Sequence, residues 1–252
     1  MDDPGSFFDG FAAVQDAKFD QQNGNSPPED VGFYRELATK ADGPTLEVGV
    51  GTGRVYLELL DAGLDVDGFD LSEQSLNRLR SKATDRNLSP TVWVDDVADF
   101  DVDREYGFIY APARAFNHLH TLEKQKQALQ SIRDALTPEG RFALNTFVPR
   151  FDVVEEYGES HVNEVLINGE QYRVVRTTFL DDEVEQVTRI RRELYHDGEL
   201  VAERETPFAL IPKRQFELLF EVVGFSDWTV NGDFDGAPLD SAEQEMVWVV
   251  DA

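Results

Sequence analysis

The sequence has no cysteine. That absence excludes a disulfide framework, a thiolate nucleophile and any cysteine-based zinc site. Histidine is scarce too: four residues, at 118, 120, 161 and 196, are too few and too scattered for a confident metal centre. Of 23 bases only six are lysine, at 18, 40, 82, 124, 126 and 213. No run approaches the roughly 18 apolar residues that a membrane-spanning helix needs, and the start Met1-Asp2-Asp3-Pro4 lacks the basic segment of a secretory leader. The expectation is a soluble, cytoplasmic protein without a membrane partner.

Acid, in contrast, is plentiful. Fifty Asp and Glu against 23 Lys and Arg give a formal charge of −27 over 252 residues. The hydrophobic fraction is 41%, so the chain is no disordered acidic tail, and it is long enough for one large α/β domain or a domain with an insertion. The acids are spread along the chain, which argues against one basic partner. This composition resembles that of salt-loving archaeal proteins, which are acidic and lysine-poor. At molar salt the Debye length is about 3 Å, so the self-repulsion is screened. Nucleic acid is not an expected partner, because phosphate binding rests on clustered bases. The nearest cluster, Arg189, Arg191 and Arg192, reads as the polar face of a strand.

The stretch Thr45-Leu46-Glu47-Val48-Gly49-Val50-Gly51-Thr52-Gly53-Arg54 organises the chain. It predicts a strand, a glycine-rich turn and then a helix carrying Tyr56, Leu57, Leu59 and Leu60 at helical spacing. Glycines at 49, 51 and 53 permit a sharp turn and a close ligand approach. A dinucleotide fingerprint would place a small residue five beyond Gly49, where Arg54 stands. Glu47 would repel phosphates and suits a ligand with a cationic amino-acid head.

Around this stretch the chain reads as repeated β-α units with short links, which predicts a parallel, doubly wound sheet. Strand two, Leu64 to Asp70, ends in an acid about 20 residues beyond the glycines, where a ribose is held by its hydroxyls. Strand three, Thr91 to Val94, leads into Asp95-Asp96-Val97. Strand four, Tyr106 to Ala111, leads into a segment carrying Arg114, Asn117 and His118. Strand five spans Arg141 to Phe147. From about 151 to 212 the rhythm changes to strands without helices. Expected strands are His161 to Ile167, Tyr172 to Leu180, Val184 to His196 and Glu199 to Ile211, with hairpin signals at Asn168-Gly169 and Asp197-Gly198. The chain then returns through a helix, Lys213 to Val223, and two strands, Ser226 to Asn231 and Glu245 to Val250, joined by a link that is loop-like by composition. The organisation is thus an N-terminal arm or lid (1–28), a core (29–150 and 213–252) and an antiparallel insertion (151–212).

The E-x-G-x-G-x-G spacing, the Asp70 strand end, the Asp96 loop, Phe116-Asn117-His118-Leu119 and the terminal G-D-F-D-G-x-P together resemble the class I S-adenosylmethionine (SAM) methyltransferases. The resemblance is to the small-molecule branch with a β-sheet inserted after strand five, and it covers residues 29–150 and 213–251. It implies a Rossmann-like, seven-stranded sheet whose last strand is antiparallel. It also implies SAM as cofactor and methylation of N or O on a small-molecule acceptor. By that resemblance Gly49, Gly51 and Gly53 cradle the methionine portion, Glu47 attracts its ammonium, and Asp70 holds the ribose. Asp96 and Val97 meet the adenine, with Asp95 one register step away, and Leu71 and Phe100 are candidates to sandwich the ring. His118 is the candidate base or substrate anchor, and Arg114 and Asn117 the residues that orient an acceptor. The arm carries Phe19-Asp20 where relatives often have Tyr-Asp. Ala111-Pro112-Ala113-Arg114 lacks both the base-amino-methylase motif and the strand-end Asp of metal-dependent catechol-type enzymes. No metal is therefore expected. A non-catalytic SAM sensor is the alternative, and a homodimer through the insertion is a possible assembly.

If the acidic surface is built for salt, the thermal unfolding midpoint should rise as KCl goes from about 0.1 M to 2 M, where screening shortens to a few ångströms. A flat or falling midpoint would refute that reading of the composition.

Overall fold

A computed structural model describes Val14 and residues 29–150, 156–167 and 169–252. The expected arm, including Phe19-Asp20, lies outside the described residues except for Val14.

Helix α1 (Glu29–Lys40) leads into β1 (Thr45–Val48), α2 (Tyr56–Asp61), β2 (Val66–Asp70), α3 (Glu73–Asp85), β3 (Thr91–Val94) and β4 (Tyr106–Ala111). A 3-10 helix (Ala115–His118), α4 (Leu122–Ala135) and β5 (Leu136–Phe147) follow. Four long strands come next: β6 (Ser160–Ile167), β7 (Glu170–Asp182), β8 (Val187–His196) and β9 (Glu199–Ala209). The chain closes with α5 (Lys213–Val223), β10 (Asp227–Gly232), β11 (Ala237–Pro238) and β12 (Glu245–Asp251).

The main sheet has the order β11-β10-β12-β5-β4-β1-β2-β3. Strands β3, β2, β1, β4 and β5 run parallel, and β12 enters antiparallel between β5 and β10. This is the expected doubly wound sheet of seven strands, with one addition. The two-residue β11 pairs with the end of β10, so the link there is not wholly loop. Both faces are covered, as a parallel sheet requires. Alternation along β4 shows how: Ile109 and Ala111 join the cluster formed with α4 and α5, whereas Phe108 and Tyr110 join the cluster formed with α1, α2 and α3.

The second sheet, β6-β7-β8-β9, is antiparallel throughout. Asp197 and Gly198 both have positive φ, 50° and 85°, as a two-residue hairpin turn demands. One boundary differs from expectation. Val184 is not in a strand but in the turn before β8, where Asp182 accepts hydrogen bonds from the Val184 and Glu185 amides. An Asx-type bond of this kind competes with the ladder and ends it.

The two sheets meet at the carboxyl end of β4. Phe208 of β9 stacks on Phe147 of β5, with ring centroids 5.9 Å apart. Asn117 donates to the Ala209 carbonyl at 2.9 Å and accepts from the Thr146 hydroxyl at 2.5 Å. The insertion is therefore fixed beside the parallel-strand ends rather than hung from flexible links. Among the described residues no helix is long and apolar enough to cross a membrane.

Candidate functional site

The glycine turn sits where β1 ends against β2. Gly49 and Val50 both donate to the Phe69 carbonyl, at 2.9 and 3.0 Å. All three glycines have positive φ: 73°, 52° and 84°. Their uses differ. A Cβ on Gly53 would lie 2.8 Å from Leu79, so this glycine lets the turn pack on α3. A Cβ on Gly51 would meet nothing within 4 Å, so this glycine borders open space. Regular helix begins at Tyr56, the first of the residues expected at helical spacing.

Asp70 ties the turn to the next strand. One carboxylate oxygen accepts from the Gly51 amide at 2.8 Å and the other from the Ser72 amide at 2.9 Å. Ser72 caps α3 by accepting from the Ser75 amide, so the helix start and the acid are set together. Leu71 beside them is half-buried.

At the end of β3, Asp95 is committed locally. Its oxygens accept from the Trp93 indole at 3.0 Å and the Asp96 amide at 2.9 Å. Asp96 spends one oxygen on the Ala98 amide at 3.0 Å and is half-buried. Of the two register choices, Asp96 carries fewer bonds within the protein than Asp95. Val97 packs on the core from the same loop. Phe100 is core: it is buried, and its ring lies 4.9 Å from that of Phe69.

Glu47 is 2% exposed. Its hydrogen bond comes from the Tyr110 hydroxyl at 2.5 Å. Nearby Arg54 is engaged by Asp30 through both terminal nitrogens. Burial pushes the Glu47 carboxyl up to about 8, against the pull of Tyr110 and Arg54. Near neutrality it is protonated and lies within the field of a further acid, Asp70.

Past β4 the backbone is strained. Ala113 and Arg114 are consecutive non-glycine residues with φ of 55° and 63°, a conformation that costs on the order of 1–3 kcal/mol each. What holds them is a polar chain not foreseen from the sequence. The Asn145 side-chain oxygen accepts from the Ala113 amide and the Tyr34 hydroxyl, both at 2.9 Å. The Asn145 amide group donates to Glu245 at 3.0 Å, and Glu245 is ion-paired with Arg114. A signal did exist, since Asn145 is a polar residue inside the buried run of β5.

The expected acceptor residues fare differently. Asn117 has no exposed surface and both ends of its side chain are bonded within the protein, so it positions the 3-10 helix rather than an acceptor. Arg114 gives its charge to Glu245 and lies over the Phe147 ring. His118 stands edge-on to Phe208, with centroids 5.1 Å apart. Desolvation, and then the nearby Arg192, Arg204 and His120, hold its imidazole down to about 4. It is neutral at physiological pH and a weak base. The arginine cluster also differs from expectation: Arg189 and Arg191 share one strand face over Phe179, but Arg192 projects from the other.

These features gather a glycine-rich turn and a buried carboxyl at the end of β1, and acids at the end of β2 and after β3, along the carboxyl edge of the sheet, the position where open α/β sheets bind ligands. Residues 45–140 match the methyltransferase domain family. The chain is 25% identical to the glycine/sarcosine N-methyltransferase of Halorhodospira halochloris, over 97% of this chain and 88% of that one. It is 32% identical to an uncharacterized methyltransferase of Staphylococcus carnosus over 44% of this chain, and spans about half of that relative, 51%. Among solved structures, the CcbJ methyltransferase of Streptomyces caelestis superposes with a TM-score of 0.77 at 23% identity, covering 100% of this chain and 99% of that one. SAM-bound CalS10, an amino pentose methyltransferase of Micromonospora echinaspora, gives 0.71 at 18% identity, covering 94% and 96%.

A ligand cation beside Glu47 should displace its proton. SAM affinity should therefore rise from pH 6 to 7.5, below the range where an α-amino group loses its own proton, by up to tenfold per unit. Calorimetric titration of Glu47→Gln should give a flat profile; the same slope in both proteins would remove Glu47 from the site. In the empty protein the sign is opposite: stability falls as pH rises from the usual carboxylate range toward about 8, because the native state holds the proton longer than the unfolded chain.

Proposed function

We propose that this chain, which carries a methyltransferase domain at residues 45–140 and has the class I SAM-dependent methyltransferase fold, transfers a methyl group from SAM to a nitrogen or oxygen of a small-molecule acceptor. The observation that carries this reading is the Gly51 position, where a Cβ would meet nothing within 4 Å and whose amide is held by the Asp70 carboxylate.

The residues fit the cofactor. Gly51 leaves room for its methionine portion, while Gly53 lets the turn close on Leu79 and Gly49 lets it pass Ala115. Glu47 offers a carboxylate to its ammonium once deprotonated, and Asp70 has lone pairs beyond its two amide bonds for ribose hydroxyls. Asp96 and Val97 border the place for adenine, and Leu71 covers it; Phe100 is assigned to the core. When bound, SAM supplies an electrophilic methyl whose bond to sulfur breaks as the bond to the acceptor forms. The protein's part is alignment and exclusion of water. The αL pair at Ala113 and Arg114, held by Asn145, fixes the path of the chain past β4 and so the place of His118.

His118, neutral and of low proton affinity, is suited to accept a hydrogen bond from the acceptor's N–H or O–H and aim its lone pair. It is poorly suited to remove a proton outright, because catalytic bases work best near the operating pH. The acceptor's proton then leaves to water after transfer. No cluster of three metal-ligating side chains lies among the described residues. The acid-rich composition supports work in concentrated salt within the cell.

Radiolabelled SAM with a panel of amines and alcohols tests turnover; cofactor binding without any transfer would favour the sensor alternative. Asp70→Ala should weaken SAM binding at least tenfold, about 1.4 kcal/mol, and unchanged affinity would contradict the ribose assignment. His118→Ala should reduce kcat more than SAM affinity, whereas an equal loss of both would make it a cofactor or folding residue.

A further inference from the structure

The inserted sheet carries a row of like charges. Arg176 of β7 pairs directly opposite Arg192 of β8, and Arg192 directly opposite Arg204 of β9. Directly opposed residues project from the same face of a sheet, with Cβ atoms about 4.5–5.5 Å apart, and like charges so placed are destabilising. In a chain with 50 acids such a row needs a reason.

The face it occupies is the inner one. One step toward the core the same face carries Ile190 and Thr206, and a further step carries Thr188 and Phe208, all buried. Phe208 is the ring against which His118 stands. On the far side the face carries Val174 and Leu194, which pack with Val14. The row lies between the β4 end and an apolar cluster, with Arg192 and Arg204 half-buried and Arg176 open to solvent, two strand steps of about 7 Å each from Phe208.

Acids elsewhere on this sheet are used. Arg189, on the outer face, is paired with both Asp181 and Glu205. Arg176 and Arg192 have no carboxylate partner among the described residues. The groups that act on Arg192 are its own burial and Arg176, which bring it down to about 10; on Arg176 they are burial and Arg114. His118 feels Arg192 and Arg204 directly. Glu245, the carboxylate that pairs with the neighbouring Arg114, is also held by Asn145.

We propose that Arg176 and Arg192 are the anion subsite for the acceptor: the molecule methylated here carries a carboxylate or phosphoryl group, gripped by the inserted sheet while its amine or hydroxyl lies at His118. This rests on the methyl-transfer reading and narrows it to anionic acceptors. Guanidinium forks match both oxyanions in a bidentate manner, and the half-buried Arg192 makes the contact stronger than a pair of fully solvated arginines would.

The test uses the full chain and the double variant Arg176→Gln/Arg192→Gln. Each is titrated by calorimetry with SAM, and then, in the presence of SAM, with inorganic phosphate, pyrophosphate and acetate. The expected result is saturable binding of one anion class, weakened at least tenfold in the variant, with SAM affinity unchanged. The variant should also unfold about 2–4 °C higher, because a repulsive pair has been removed. Preference for acetate assigns a carboxylate acceptor, and preference for the phosphates a phosphoryl one. Equal anion binding by both proteins, or none by a wild type that binds SAM, overturns the proposal. So does a lower midpoint in the variant with anion binding retained, which would make the row structural. A wild type that fails to bind SAM overturns the methyl-transfer reading itself.

Discussion

The Asp70 carboxylate is the joint on which the site turns. It stands at the end of β2 and accepts from two backbone amides, Gly51 in the turn after β1 and Ser72 at the start of α3. A buried carboxylate with two amide donors is stabilised in its charged form, and it fixes three segments at once. The parallel β1–β2 register brings Val48 beside Phe69, so the turn after Val48 passes in front of the acid. Without that bond Gly51, at positive φ and facing open space, would have little to define its position. The crevice is thus made by an acid that the same crevice presents to a ligand. The economy has a consequence: changes at Asp70 act on the turn as well as on any bound hydroxyl, so Asp70→Asn, which retains one acceptor, is the gentler perturbation.

A second layer fixes the other wall. Tyr34 of α1, Asn145 of β5, Glu245 of β12 and Arg114 after β4 form one polar chain. Its bonded pairs lie 100, 111 and 131 residues apart, and they meet because the strand order places β5 between β4 and β12. Buried polar chains are worth their desolvation only when each member is satisfied, and then they specify one arrangement. Here that arrangement is the left-handed Ala113-Arg114 step, which a packed sheet alone would not select.

Much of this was legible from residues alone. The glycine spacing and the strand-helix rhythm predicted the parallel sheet, and the Asp-Gly turn predicted a hairpin now seen with both φ values positive. Asp70 was expected as a ligand residue from its place at the end of β2, and Asp96 from the resemblance to the methyltransferases, with Asp95 one step away. Three features were not legible. Asn117 read as an acceptor ligand because nothing local shows that Ala209 and Thr146 will occupy it, across 92 and 29 residues. Arg192 read as part of a polar face because Arg189 and Arg191 flank it, but period-two alternation puts it on the opposite side. Asn145 and Glu245 were passed over because their partners come together only through the sheet order. In each case the missing information was a long-range pairing, not a local preference.

The charge pattern gives these long-range pairings their significance. An acidic surface of formal charge −27 repels an anionic acceptor at low ionic strength, and steering by surface charge would oppose capture. At molar salt that field fades within about 3 Å, while charges held in a desolvated cleft are screened far less. A cationic row on the inner face of an inserted sheet is then the arrangement that can still select an anion. On the proposed reading the surface serves solubility in brine, and the row on the inserted sheet serves recognition independently of it. The separation requires that the row be shielded from bulk solvent on at least one side. The packing of Phe208 against Phe147 on one side, and the Val14-Val174-Leu194 cluster on the other, flank it and leave Arg192 half-buried, while Arg176 opens to solvent as the side from which an anion can enter.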